Sequence, residues 1–123
     1  RIPDAYLEAL LNGPAGQQFH SLHVRMAKEY VDRHLPEDVS LAKVAEAVAI
    51  SPGYLSRIFL KEMGESFSDY VIRNKTEYSK KLLRETNLKV YEIAEKLGYN
   101  NPHYFSKWFK ERVGMTPLEY RNQ

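Results

Sequence analysis

The hydrophobic positions recur at helical spacing along most of the chain, and no stretch alternates apolar and polar residues as a half-buried strand would. Residues 21–35 carry apolar side chains three and four positions apart, and Pro36 is expected to end that helix. A short run after Ser40 places four apolar residues on one face: Leu41, Val44, Ala45 and Val48. In the first segment the apolar positions are Leu22, Met26, Tyr30, Val31 and Leu35. The pattern therefore predicts an all-α protein.

Local signals predict where the later helices begin and end. Ser51 precedes Pro52 at one helix start, and Gly64 follows at its end. Residues 66–86 contain no glycine or proline and predict one long helix. Residues 1–20 hold a short apolar patch that Asn12-Gly13-Pro14 interrupts, so we expect a linker or short helix that leads in from an upstream domain absent from this sequence.

The chain repeats one helix pair. The stretch SPGYLSRIFLKEMG at 51–64 matches NPHYFSKWFKERVG at 101–114 with a shift of 50 residues. The helices before them match with a shift of 49, which makes Ala49 equivalent to Gly98 at the turn. Each pair has the layout of a helix-turn-helix. We place the first at about 40–64, a linker helix at about 66–86 and the second at about 89–114.

The second helix of each pair has one apolar face and one small polar or basic face. The apolar face carries Leu55, Ile58 and Phe59 in the first unit and Phe105, Trp108 and Phe109 in the second. The spacing also assigns Tyr54 and Tyr104 to the core. The opposite faces carry Gly53, Ser56, Arg57 and Leu60, then His103, Ser106, Lys107 and Lys110. Such side chains suit a helix laid in a DNA major groove, where Arg and Lys donate to guanine edges.

Composition narrows the function classes. No run approaches the roughly 18 apolar residues that a membrane span needs, so we expect no membrane partner. The chain has no cysteine, which excludes thiol catalysis and suits a cytoplasmic protein. No phosphate loop or nucleophile–base spacing stands out, so we expect no enzyme and no cofactor. His20 and His23 lack further ligands nearby, so we predict no metal site.

The basic residues are unevenly distributed. Residues 51–123 carry 13 Lys and Arg against 9 Asp and Glu, whereas residues 1–50 carry 5 against 7. The excess therefore accompanies the repeated helices, although the net charge of +2 indicates no partner by itself.

The second unit, EIAEKLGYNNPHYFSKWFKERVGMTPLEYR, resembles the signature of the DNA-binding domain of AraC/XylS-type transcription regulators. The resemblance extends over residues 21–122, and the YLSR and YFSK segments are most similar to YesN-like response regulators, in which this domain follows a receiver. It implies a homeodomain-like fold with recognition helices at 52–63 and 102–113. The sequence departs from the family at Gly53, which has no side chain, and at Lys89, where a capping Ser or Asp is expected.

The resemblance implies that residues 21–123 bind double-stranded DNA in adjacent major grooves as part of a bacterial transcription regulator. It assigns base contacts to Gly53, Ser56, Arg57, His103, Ser106 and Lys107, and we add Lys110 from its position on the same face. Ser40 and Asn101 are expected to cap helices and to lie near phosphates. RNA polymerase is a further candidate partner, and dimerisation and signal input are expected upstream. The alternative is a helical protein-interaction module, although two units are few for one.

Overall fold

The computed structural model describes Pro3 and residues 14–123. This part of the chain contains no β-strand, which confirms the all-α prediction. Its seven helices are α1 (Pro14–His34), α2 (Leu41–Ala47), α3 (Pro52–Met63), α4 (Phe67–Glu85), α5 (Val90–Lys96), α6 (Pro102–Val113) and α7 (Pro117–Arg121).

The helices form two compact units. Unit 1 comprises the described residues up to His34 together with Asp38–Val71, and unit 2 comprises Leu35–Glu37 with Ile72–Gln123. Helix α4 contributes its first residues to unit 1 and the rest to unit 2. Each unit holds one of the repeated helix pairs, α2 with α3 in unit 1 and α5 with α6 in unit 2.

Helix α1 differs from the sequence prediction at its start and in its buried face. It begins at Pro14, so residues 14–20 are helical and no boundary falls at residue 20; the rest of the predicted lead-in, apart from Pro3, lies outside the described residues. A proline is tolerated at the first helical position because the N–H it lacks would have no intrahelical partner there. Val31 is buried as predicted, but it shares the face turned to the core with Val24 and Ala27, whereas Leu22 and Met26 are 42% and 37% exposed.

The two cores repeat the same aromatic contact. In unit 1, Phe59 meets Tyr70 edge-on with ring centroids 5.2 Å apart. In unit 2, Phe109 meets Tyr120 in the same way at 5.7 Å. Both phenylalanines are fully buried, and each pair is separated by eleven positions in the sequence. The repeat seen in the sequence is therefore a repeat of packing, in which an aromatic residue after the second helix closes the core.

Helix α4 agrees with the long helix predicted over 66–86 to within one residue at each end. Ser66 accepts a hydrogen bond from the backbone N–H of Asp69 at 3.0 Å and so caps the first turn. Ser79, although fully buried, is satisfied because its hydroxyl donates to the carbonyl oxygen of Lys75 at 2.8 Å.

The turns between the paired helices are the same structure built twice. In the first, the Ala49 N–H donates to the Glu46 carbonyl at 3.2 Å and the Ile50 N–H to the Ala45 carbonyl at 3.1 Å. In the second, Gly98 and Tyr99 donate to the carbonyls of Glu95 and Ala94 at 3.0 and 2.9 Å. This pair of hydrogen bonds is the Schellman motif, whose central residue adopts a left-handed conformation. Ala49 has φ 62° and Gly98 has φ 84°, so the first turn uses alanine where glycine is favoured.

Two single substitutions, glycine for Ala49 and alanine for Gly98, are expected to change the free energy of unfolding in opposite directions. Ala49→Gly should stabilise the protein by about 0.5–1 kcal/mol, because relief of a left-handed alanine, about 1–2 kcal/mol, exceeds the added flexibility of the unfolded chain. Gly98→Ala should destabilise it by about 1 kcal/mol. A Cβ on Gly98 would meet no atom within 4 Å, so the cost would come from the backbone alone. Urea unfolding of both variants tests this, and destabilisation by Ala49→Gly would contradict it.

Helix α1 covers the start of α3 through a buried polar pair. His20 Nε2 lies 3.0 Å from the hydroxyl of Tyr54, and the two residues are 6% and 1% exposed. Burial lowers the pKa of His20 below its usual value of 6.5, and the positive charge of Lys61 lowers it further. Glu62 acts in the opposite direction.

This histidine is expected to make stability depend on pH. Because the pKa of His20 is lower in the folded chain than in the unfolded chain, the unfolded chain binds the proton first as pH falls below about 6.5. The free energy of unfolding should therefore decrease as pH falls from 7.5 to 5.5. His20→Gln, which does not titrate, should show a smaller decrease over this range in urea titrations. Parallel curves for the two proteins would contradict the prediction.

Candidate nucleic-acid interface

Helix α3 presents the first predicted reading face. The Ser51 hydroxyl accepts a hydrogen bond from the Tyr54 N–H at 3.2 Å, Pro52 occupies the first turn, and Gly64 ends the helix at φ 73°. The buried side of α3 carries Tyr54, Leu55, Ile58 and Phe59. The opposite side is exposed and carries Gly53, Ser56, Arg57 and Leu60, as predicted.

Helix α6 has the same construction in unit 2. Asn101 accepts a hydrogen bond from the His103 N–H at 2.8 Å, and Gly114 ends the helix at φ 92°. Phe105 and Phe109 are buried. On the other side His103, Lys107 and Lys110 are exposed and Ser106 is half-buried, so these four side chains share one face at spacing i, i+3, i+4 and i+7.

The two predicted caps have the capping geometry. The Ser40 hydroxyl accepts from the Lys43 N–H at 3.2 Å at the start of α2, so it does not belong to a reading helix. Asn101 lies at the start of α6, next to His103. Lys89 makes no side-chain cap, but its own N–H donates to Glu92 at 2.9 Å, which partly replaces the missing Ser or Asp at the start of α5.

Two of the exposed arginines, Arg57 and Arg112, contact aromatic rings of their own helices. The Arg57 guanidinium lies 5.8 Å from the centre of the Tyr54 ring, within the range of a cation–π contact. Arg112 lies 4.7 Å from the Trp108 ring and donates to the Trp108 carbonyl at 3.1 Å. Arg57 and Arg112 are thus partly ordered before any ligand binds.

The assignment of Tyr104 to the core is wrong. Tyr104 is 69% exposed, whereas its repeat partner Tyr54 is 1% exposed. Tyr54 is buried because α1 covers it through His20, whereas none of the described helices covers Tyr104. Trp108, also assigned to the core, is half-buried. The sequence pattern could not separate the two tyrosines, because the repeat places them at equivalent positions.

A groove adjoins the reading face of α6. It has a volume of about 480 Å³ and lies between the turn at residues 98–101 and the flank of the helix. Its walls include three aromatic side chains and two cations: Tyr99, Tyr104, Trp108, Lys107 and Arg112. Burial raises the pKa of the Tyr99 hydroxyl, and Arg112 acts in the opposite direction, so this phenol stays protonated at neutral pH.

No group of three or more His, Cys, Asp or Glu residues in the described part of the chain is placed to hold a metal ion. His20 and His23 make other contacts, His20 with Tyr54 and His23 with the Phe19 carbonyl at 3.0 Å. None of the described helices has the length and apolar character needed to cross a membrane.

Comparison with known proteins identifies the relatives of this chain. Residues 44–123 match the family model described as a helix-turn-helix domain. The C-terminal domain of AraT, a response regulator from Geobacillus stearothermophilus, is 40% identical with a TM-score of 0.76, over 81% of this chain and 84% of that one. The C-terminal domain of the two-component response regulator yesN from Fusobacterium nucleatum is 35% identical with a TM-score of 0.73, over 79% and 95%.

One curated relative is much longer than this chain. The HTH-type transcriptional regulator YtdP of Bacillus subtilis is 41% identical over 93 residues, which are 76% of this chain and 12% of that protein. The chain spans about a third or less of the length of the first curated relatives that it matches.

Proposed function

Because this chain belongs to the AraC-type family of helix-turn-helix DNA-binding domains, we propose that it recognises a specific double-stranded site with two reading helices, α3 and α6. The observation that carries the proposal is the duplicated construction of these helices. Each has a side-chain cap, a first-turn proline, a buried aromatic core and a left-handed glycine at its end. Each presents a serine followed by an exposed basic residue at equivalent positions, Ser56 and Arg57 in α3 and Ser106 and Lys107 in α6.

The exposed residues have the chemistry for major-groove recognition. Arg57 and Lys107 are assigned to guanine edges or to phosphates, and Ser56 and Ser106 to bases or phosphates. His103 lies at the start of α6, and Lys110 extends the same face by one turn. Gly53 offers no side chain, so α3 is expected to read fewer bases than α6. Ser40 and Asn101, which cap the starts of α2 and α6, are assigned to phosphates, which the positive end of a helix attracts.

The length of α4 supports reading of two successive grooves. Its 19 residues span roughly 28 Å. Major-groove openings on one face of DNA recur about every 34–36 Å. A continuous helix of this length, with a few residues at each end, suits a spacer between heads that read one turn apart.

We assign the chain the role of the DNA-binding part of a bacterial transcription regulator that acts in the cytoplasm without catalytic activity. The DNA-binding domain comprises α1 and the residues that follow it to 123, with helix-turn-helix units at about 40–64 and 89–114 and the linker helix at about 66–86. The relatives support this assignment, since several are transcriptional regulators much longer than this chain. Dimerisation and signal reception are assigned to an upstream domain, and RNA polymerase is the proposed protein partner.

Selection from a random library of duplexes about 30 base pairs long tests the proposal. We expect enrichment of two short motifs whose centres lie about one helical turn apart. A single motif would mean that one head, which we expect to be α3 because of Gly53, holds only the backbone. Absence of binding at low salt would contradict the proposed function.

A further inference from the structure

The two reading helices differ most at one equivalent pair of residues. Tyr54 of α3 is buried and in contact with His20, so it is not available to a ligand. Tyr104 of α6 is 69% exposed, the largest exposed fraction among the large hydrophobic residues of the described chain. The ring and hydroxyl of Tyr104 are therefore accessible to a ligand of the reading helix.

Tyr104 projects from the flank of α6, beside the reading face. Successive helical residues are rotated by about 100°, so Tyr104 points about 100° away from His103. Lys107 lies between them, one turn along from both. A helix inserted in a major groove about 12 Å wide has base edges in front of it and a sugar–phosphate backbone on either side. A residue on the flank therefore faces the backbone.

The groove beside Tyr104 has the chemistry of a backbone site. Tyr104 and Lys107 line it together, so it is continuous with the reading face. The guanidinium of Arg112 supplies positive charge inside the groove, the ammonium of Lys107 adds to the positive potential at its edge, and the aromatic rings supply apolar surface for a deoxyribose. Glu111 also lines the groove, but its carboxylate lies 4.0 Å from Arg112 Nη1, so its charge is partly offset.

We propose that the groove receives the DNA backbone when α6 enters the major groove, and that Tyr104 clamps it. The Tyr104 hydroxyl donates to a phosphate oxygen while its ring packs against the adjacent sugar. The inference rests on the proposed function and adds a backbone contact that only the second head possesses. It explains why the second head exposes a tyrosine that the first head buries.

Replacement of Tyr104 separates this contact from base reading. Tyr104→Phe, which removes only the hydroxyl, should weaken binding about 2- to 10-fold, and Tyr104→Ala should weaken it more. The loss should be equal on the selected site and on an unrelated duplex, because a phosphate contact carries no sequence information. The salt dependence should stay unchanged, since a neutral hydroxyl releases no counterion. Fluorescence anisotropy of labelled duplexes gives all three quantities.

Tyr54→Phe is the matched control. It removes the equivalent hydroxyl from α3, where it faces His20 inside unit 1. This variant should bind DNA as the wild type does and lose only stability in urea. An equal loss of affinity in Tyr54→Phe and Tyr104→Phe would overturn the proposal, because it would show a general effect on folding.

Trp108 provides a second readout, because it is the only tryptophan in the chain and lines the same groove. Occupation of the groove by the backbone should protect its fluorescence from quenching by acrylamide when DNA is added. Unchanged quenching in a saturated complex would overturn the proposal, as would Tyr104 variants with wild-type affinity or a loss confined to one sequence. In each of these outcomes the wild-type chain still binds DNA, so only the Tyr104 contact is refuted. If the wild-type chain bound no duplex, the proposed function itself would be refuted.

Discussion

Lys107→Ala is expected to weaken binding to the selected DNA site by about 1–3 kcal/mol and to relax the preference for one base pair. Lys107 is exposed on α6 beside Ser106, on the face opposite the buried Phe105 and Phe109. We attribute the expected loss to the proposed hydrogen bonds between Lys107 and a guanine edge, which water would replace incompletely. Affinities for the selected duplex and for duplexes changed at single base pairs measure the effect.

Arg57→Ala provides the comparison from the first head. It should also weaken binding, but by a similar amount on every duplex if Gly53 leaves α3 with mainly backbone contacts. Lys81→Ala, which removes an exposed charge from α4, is the control for the general loss of positive charge. A Lys107→Ala variant that lost affinity equally on all sequences would show that Lys107 holds a phosphate, and the base-reading assignment would be wrong.

Arg121→Ala is expected to destabilise the protein by about 2–3 kcal/mol, because it removes two charge-assisted hydrogen bonds to carbonyls at a helix end. Arg121 Nε donates to the Leu83 carbonyl at 3.0 Å, and Nη2 donates to the Thr86 carbonyl at 3.2 Å. The last carbonyls of a helix have no intrahelical partner, and a positive charge near them is favourable. The short helix α7 thus caps α4 from a distance of 35 residues or more in sequence.

Urea unfolding of Arg121→Ala and Arg121→Lys measures this contribution. Lysine keeps the charge but not the planar fork that reaches two carbonyls, so it should recover part of the loss. Arg84→Ala is a suitable control, because Arg84 is exposed and donates to no backbone carbonyl among the described contacts. Its guanidinium contacts the hydroxyl and the ring of Tyr120. An Arg121→Ala variant within about 0.5 kcal/mol of wild type, the range of ordinary surface substitutions, would contradict this role.

The bounds of the two reading helices could be predicted because the signals that set them are local. Ser51 and Asn101 cap backbone N–H groups two or three residues away, and Gly64 and Gly114 end the same helices in a left-handed conformation. Both helices therefore agree with the ranges 52–63 and 102–113. The repeat alone places Ala49 at the turn, and its positive φ confirms the position.

The start of α1 and its buried face were not predictable in the same way. Pro14 and Gly16 are helix breakers in isolation, yet they lie in or next to the first turn, where they are tolerated. Leu22 and Met26 fit the helical spacing, but they lie on nearly the opposite side of the helix from Val24, Ala27 and Val31, which pack against the core. The spacing is compatible with burial of either face, and only the residues that pack against the helix decide which face is buried.

The sequence by itself determined the two repeated helix pairs, the long helix between them, the repeat and the family, because each depends on residues within a few positions of one another or on their order. The tertiary structure decided which side chains are covered. Tyr54 and Tyr104 occupy equivalent places in the repeat, but a histidine 34 residues away buries the first, and the second is exposed. Likewise the signature residue Arg121 acquires its role only where α7 meets the end of α4. Burial depends on what packs from elsewhere in the chain, and local pattern does not contain that information.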